Sequence, residues 1–324
     1  MKNIAVFTSG GDAPGMNANV RAVVRTCLTL GIKPFGIHDG YEGMIDGDII
    51  ELDSRSVSNI LQLGGTFLRT ARSARFMTPE GRAQAYQQLK THGIEGIVAC
   101  GGNGTFTGAN IFMKEYPDIK IVGTPGTIDN DLYGTDYTIG FDTAVNTAMN
   151  MIDNIKDTAN AHNRLFFVEV MGRDAGFIAV RTGIATGAEA VLIPESPTDM
   201  AKLIQILDKR RIAHKSSSAI VIVAEGDDAG GALKVAELAK QSLPGYDIRV
   251  SILGHIQRGG RPTCNDRVLA SRLGLEAVKA LVAGKKGVMI GQVHKDIAYI
   301  PFVEAIKHNQ RINPMMLEII DILS

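Results

Sequence analysis

IEGIVACGGNGTFTGANIFMKEYPDIKIVGTPGTIDND (94–131) decides the fold. IEGIVAC (94–100) and KIVGT (120–124) are short apolar runs bounded by turn residues. Such runs read as strands buried on both faces. The stretch 104–117 between them reads as a helix, entered through the glycine loop CGGNGTFTG (100–108). Strand, loop, helix, strand is a βαβ unit, and it implies a parallel pair. The same alternation continues on either side. IAVF (4–7) reads as a strand, followed by loop 8–15 and a helix over 17–31 with Val20, Val23, Val24 and Cys27 on one face. RLFFVEVM (164–171), SAIVIVAE (218–225) and IRVSIL (248–253) repeat the strand pattern. Helices are predicted over 79–92, 141–158, 174–187, 199–213, 230–242 and 264–283. The fold class is α/β with mainly parallel sheets covered by helices.

The bulk numbers exclude several function classes. Lys plus Arg (34) equals Asp plus Glu (34), so no net charge draws the chain to nucleic acid. No run approaches 18 apolar residues, and the short N-terminal apolar run ends in glycines, so neither a membrane span nor a signal peptide is read. Cys27, Cys100 and Cys264 are widely spaced with no CxxC, which fits reduced thiols and a cytoplasmic location. A chain of 324 residues exceeds the usual size of one core, so two domains are expected. No Pro/Ser-rich linker divides them, so the second is entered through ordinary loops.

Three loops carry the polar chemistry: TSGGDAPGMN (8–17), CGGNGTFTG (100–108) and TPGTIDNDLYGTD (124–136). Each follows a predicted strand, where ligands bind in open α/β sheets. Glycines let a backbone approach a phosphate, and amides at a helix start supply donors. None matches GxxxxGK[ST], which disfavours an ordinary P-loop. None matches GxGxxG, because the glycine after Gly102 and Gly104 falls at Gly108. In the third loop Asp129 and Asp131 alternate. One carboxylate can take a proton while its neighbour holds a metal or its water, which suits phosphoryl transfer. An Asx-rich turn would read the same way.

TSGGDAPGMN, GGTFLRTAR, PGTIDND, GTDYTIGFDTA, VEVMGRDAG and LGHIQRGG, in this order, resemble the bacterial ATP-dependent 6-phosphofructokinase family over most of the chain. The resemblance implies two doubly wound domains, the smaller inserted in the larger. The nucleotide-binding domain would be 1–140 plus 257–307, and the fructose 6-phosphate domain 141–256 plus 308–324. It implies that Gly11, Arg72, Ser73, Gly102, Asn103, Gly104 and Thr105 meet ATP. Thr127, Ile128, Asp129, Met171, Gly172, Arg173, Glu225, His255, Ile256, Gln257 and Arg258 would meet the sugar phosphate, joined by Arg164 and Arg249 lent across a subunit interface. The implied catalytic set is Asp129 as proton acceptor with Arg72, Thr127 and Arg173. Mg²⁺ is implied at Asp131, with Asn103 where the family has Asp; the missing charge is expected to raise the Mg²⁺ requirement or lower turnover. A homotetramer is the usual form. Arginine forks suit a phosphosugar dianion, which agrees with the four arginines 164, 173, 249 and 258.

The resemblance also implies an effector pocket for ADP or phosphoenolpyruvate at Arg21, Ala22, Val23, Val24, Arg25, Lys156, Gly187, Ala188, Glu189, His214, Ser216 and Ser217. Ser54 stands in place of an arginine beside Arg55, and Arg211 and Lys215 complete a thinner basic stretch, so a weaker response is expected. Pyrophosphate-using relatives tend to have Asp at position 104 and Lys at 126, and both are glycine here, which favours ATP. The rival readings are a pyrophosphate-dependent kinase, a non-catalytic sugar-phosphate or nucleotide sensor, and a dinucleotide-dependent oxidoreductase. Formation of fructose 1,6-bisphosphate from ATP separates them.

Overall fold

The computed structural model describes residues 1–162, 164–213, 218–308 and 310–323. Its strands are β1 (Asn3–Thr8), β2 (Lys33–Ile37), β3 (Ile49–Glu51), β4 (Gly96–Gly101), β5 (Lys120–Thr127), β6 (Ile139–Gly140), β7 (Arg164–Val170), β8 (Ala190–Leu192), β9 (Ala219–Ala224), β10 (Asp247–Ile252), β11 (Val288–Val293) and β12 (Asp296–Pro301). Its helices are α1 (Met16–Thr29), α2 (Tyr41–Asp46), α3 (Pro79–Thr91), α4 (Asn103–Glu115), α5 (Phe141–His162), α6 (Phe177–Thr186), α7 (Met200–Ala213), α8 (Gly231–Ser242), α9 (Cys264–Val282), α10 (Phe302–Lys307) and α11 (Pro314–Leu323).

The chain forms two compact units. One holds Met1–Ile128, Leu132–Thr143 and Arg258–Gln310; the other holds Asp129–Asp131, Ala144–Gln257 and Arg311–Ser324. The larger unit is built on the sheet β12-β11-β5-β4-β1-β2-β3, with β6 added to β5. Its centre is parallel, whereas β2–β3 and β11–β12 pair antiparallel. Ala5, Phe7, Ile97, Ala99 and Ile121 enter one core with side chains of α2, α3, α4 and α10. The alternating Ile4, Val6, Val98 and Val122 are equally buried, where α1 and α9 pack on the strands and on each other. Both faces are therefore covered, which is why these strands read as continuous apolar runs.

The smaller unit carries the all-parallel sheet β10-β7-β9-β8. Leu165, Phe167, Val221 and Val223 pack with Leu203 and Leu207 of α7 and Val235 and Ala239 of α8. Phe166, Val168, Ile220 and Ile222 are buried on the opposite alternation, and α6 packs on β9 and α11. Each fully buried Phe or Val contributes about 1.5–3 kcal/mol by leaving water.

Two readings need correction. The helix expected from 174 starts at Phe177, because Gly172 and Arg173 both take positive φ and hold 171–176 as a loop. The short strands β2, β3, β6 and β8, the hairpin β11–β12 and helices α2, α10 and α11 lie outside the elements expected from the sequence. KPFGI in β2 carries Pro and Gly, which obscure a strand pattern. Among the described residues no helix is long and apolar enough to cross a membrane. Burial pushes the Cys27 and Cys100 thiols up to about 12, so neither is a ready nucleophile.

Candidate active site

In the larger unit β1, β4 and β5 lie side by side and parallel, with Thr8 opposite Cys100 and Cys100 opposite Thr124. Their carboxyl ends therefore emit the three polar loops from one edge of one sheet, on strands about 4.8 Å apart. The 63–70 segment is docked onto the first loop. Asn17 Nδ2 donates to the Leu63 and Gly64 carbonyls at 3.3 and 3.2 Å, the Phe67 amide donates to Asn17 Oδ1 at 2.8 Å, and Thr70 Oγ1 donates to the Gly10 carbonyl at 2.6 Å. Exposed Arg72 follows directly. Ser73 Oγ accepts the Phe76 amide at 3.0 Å, so it also caps the next turn.

Gly11 lies against the end of the Arg258 side chain: a Cβ there would make the guanidinium shift, and its Nη1 donates to the Asp12 carbonyl at 3.3 Å. A sugar-phosphate candidate and the first glycine loop thus share one place. Gly102 precedes α4, whose first residues are Asn103, exposed Gly104 and buried Thr105. This is a helix start aimed from a strand end, the backbone arrangement that receives phosphate. Thr127 ends β5 and Ile128 and Asp129 follow it, at 9%, 0% and 4% exposure. The Ile128 side chain is sealed in the core, so it can face a ligand only through its backbone.

Asp129–Asp131 group with the smaller unit, as does Arg173. Asn130 between the two carboxylates has φ 54°, the left-handed conformation Asn tolerates best after Gly. Burial drives the Asp131 carboxyl up, against the pull of Arg173 and with the push of Asp174. A half-buried carboxylate of this kind gains from a cation. Among the described residues no group of three or more His, Cys, Asp or Glu could hold a metal. A single carboxylate such as Asp131 fits a divalent cation whose remaining ligands are substrate phosphates and waters.

The smaller unit repeats the first pattern. β10, β7 and β9 are adjacent and parallel, with Ile252 opposite Glu169 and Glu169 opposite Val223. Met171–Arg173, Glu225 and Gly254–Gln257 leave their carboxyl ends. The Glu225 carboxylate accepts the Arg173 amide at 2.7 Å and the Gly172 amide at 3.3 Å. It thereby holds Arg173 at φ 52°, an uncommon conformation for a long side chain. His255 and Ile256 are exposed. Gln257 is fully buried and tied to the Met171 amide at 3.2 Å and the Gly254 carbonyl at 3.0 Å. Its side chain secures the loop rather than reaching a ligand.

Arg164 stands apart from this group. It begins β7 and pairs with Asp247, which begins β10, at 2.9 Å; Arg249 reaches the same carboxylate at 3.1 Å. Six residues of strand, about 20 Å, separate Arg164 from the end of β7. The two arginines draw the Asp247 carboxyl below its ordinary range, through the Arg164 hydrogen bond first.

The effector candidates divide likewise. Arg21 and Arg25 sit one turn apart on α1, while the Val23 and Val24 side chains are fully buried. Those two valines are core residues and would not face an effector. Lys156 Nζ donates to the Thr186 carbonyl at 2.6 Å beside Gly187. Glu189 is buried, pairs with Arg210 at 2.7 Å and accepts the Ile220 amide at 2.6 Å. A cavity of about 250 Å³ adjoins Glu189, lined also by Leu192, Thr198, Lys202 and Ile206. His214, Lys215, Ser216 and Ser217 lie outside the described residues.

Parallel sheets with glycine loops, a helix start and carboxylates at strand ends, and no P-loop, define an α/β protein that handles phosphate groups. The phosphofructokinase family model matches residues 3–281. The chain is 54% identical over 324 residues to ATP-dependent 6-phosphofructokinase 1 of Thermus thermophilus, covering all of both chains. Its structure is similar to that of phosphofructokinase from Saccharomyces cerevisiae, with TM-score 0.90 and 40% identity over 95% of this chain and 45% of the yeast chain. A pyrophosphate-dependent phosphofructokinase from Marinobacter aquaeolei shares the fold, with TM-score 0.85 and 24% identity over 97% of this chain and 86% of that one. The chain belongs to the phosphofructokinase family.

Proposed function

We propose that the chain is a glycolytic kinase that transfers the γ-phosphoryl group of ATP to the 1-hydroxyl of fructose 6-phosphate, giving fructose 1,6-bisphosphate and ADP. The observation that carries this reading is a nearly buried carboxylate, Asp129, two residues along the chain from the end of β5, the strand whose parallel companions in the sheet, β4 and β1, end in the two glycine loops. The family and the full-length likeness to ATP-dependent relatives support it.

The chemistry follows from the residues. Amides of 102–105 and the α4 start receive nucleotide phosphates, with Gly11 leaving space in the first loop. Arg72 and Arg173 neutralise charge on the transferring group, and Thr127 orients it. The sugar's oxygen bonds to the γ-phosphorus as the bond to the ADP oxygen breaks, and the hydroxyl proton passes to Asp129. His255, Glu225, Arg258 and the backbone of Met171 and Gly172 hold the sugar phosphate. Mg²⁺, held by Asp131 and the Asn103 carbonyl with the nucleotide's phosphates, would offset charge on the oxygens; Asn103 adds no charge of its own.

Arg164 and Arg249, far along the sheet from the Arg173 loop, fit a role in a neighbouring subunit's sugar site, and a homotetramer is the corresponding assembly. A reduced cytoplasm suits the free thiols. Regulation by ADP or phosphoenolpyruvate is expected to be weak, since Glu189 is already paired with Arg210. The decisive assay follows fructose 1,6-bisphosphate and ADP formation. Asp129→Ser is expected to lose ~10²–10⁴ in kcat with an unchanged melting temperature. Near-normal turnover in that variant would remove Asp129 as the base.

A further inference from the structure

Residues 140–143 and 263–266 form a hydrogen-bonded knot inside the larger unit that the proposed chemistry does not use. Asp266, 1% exposed, lies in the first turn of α9. Its Oδ1 accepts the Gly140 amide at 2.8 Å; its Oδ2 accepts the Thr143 amide at 2.8 Å and the Thr143 hydroxyl at 2.5 Å. The Thr263 amide donates to Thr143 Oγ1 at 3.0 Å. The Asp266 amide donates to Thr263 Oγ1 at 3.3 Å, and that hydroxyl donates to Asp142 at 2.5 Å. Each hydroxyl accepts one bond and donates one, so both chains of donors run onto carboxylates.

The far side of the knot is β6. Ile139 and Gly140 pair with Gly126 and Thr127 at the end of β5, and Thr138 Oγ1 donates to the Thr127 carbonyl at 2.6 Å. Thr127 stands two residues before Asp129. We infer that Asp266 is a positioning residue for phosphoryl transfer: it fixes β6, and β6 fixes the end of β5 that leads into Thr127 and Asp129.

A capping role alone does not account for Asp266. Thr263 already caps α9, and every acceptor bond of the Asp266 carboxylate goes outside its own helix. Burying a carboxylate is costly, and it is tolerated where several donors meet it. Asn cannot replace it, because its NH₂ would face the amide of either Gly140 or Thr143.

The inference rests on the reading of Thr127–Asp129 as the transfer loop. Its test is a double-mutant cycle with Asp266→Asn and Thr138→Val, reading kcat, both KM values and melting temperature. Misplacement by a fraction of an ångström lowers rate without lost binding, so each single variant is expected to lose about tenfold or more in kcat with KM within about twofold. Because both act through β6, the double variant should be no slower than the worse single. Unchanged kcat per folded enzyme, losses that multiply, or losses confined to melting temperature would overturn the inference. If Asp266→Asn does not fold, Thr143→Val takes its place in the cycle, since it removes one donor to the same carboxylate and keeps the carboxylate and the Gly140 and Thr143 amides. Failure of the wild-type enzyme to turn over ATP and fructose 6-phosphate would instead sink the kinase reading.

Discussion

Gly104 and Gly126 both argue for ATP, yet they are different kinds of glycine. A Cβ at position 104 meets nothing within 4 Å, whereas one at 126 would lie 2.8 Å from Cys100 Sγ and 3.0 Å from Met16 Cε. Gly104→Asp therefore adds a carboxylate without crowding. Like charges brought together cost several kcal/mol, so kcat/KM for ATP is expected to fall about tenfold or more. An open surface position should keep the melting temperature within about 2 °C. Unaltered ATP kinetics would take residue 104 out of donor choice. Gly126→Lys would mainly overpack the β4–β5 contact, so its activity could not report on the donor. Ile128, Gln257, Val23 and Val24 carry the same lesson. All sit in or beside functional stretches, and their side chains are core.

At the scale of elements, the strands 4–7, 94–100 and 120–124 were legible because both faces are apolar. Their adjacency was not, because it depends on which strands pair across the sheet. The Thr263-x-x-Asp266 spacing is a readable capping signal, but its partner lies more than 120 residues earlier in the chain. Burial raises the Asp266 carboxyl to about 6, its hydrogen bonds oppose this, and nearby Asp142 adds to it. The folded state thus holds that proton more tightly than the unfolded chain. The group's stabilisation is full below pH ~4 and is lost as pH rises through about 6. The stability of wild type minus Asp266→Asn should fall by about 1–2 kcal/mol between pH 5 and pH 7.5. Urea unfolding at both pH values measures it. A difference that stays constant or grows with pH would show that burial does not govern this carboxyl.

At the scale of the whole molecule, Arg164 and Arg249 make assembly part of the proposed chemistry. If they serve a neighbour's site, Asp129→Ser and Arg164→Ala subunits should complement each other. Each alone would be nearly inactive. Mixed pairs would carry one intact site of two, so random 1:1 reassociation should restore about a quarter of wild-type activity. No recovery in verified mixed oligomers would place those arginines outside any shared site. The amino-acid sequence by itself determined the alternation of strands and helices, the motifs that mark the family, and the identity of the acid and arginine side chains. Those are local properties, set by hydrophobic period, glycine and charge. Only the tertiary structure decided which loops share a sheet edge, which motif residues are sealed in the core, and that Asp266 grips β6. Those facts depend on strand order and packing between distant segments, which no local pattern encodes.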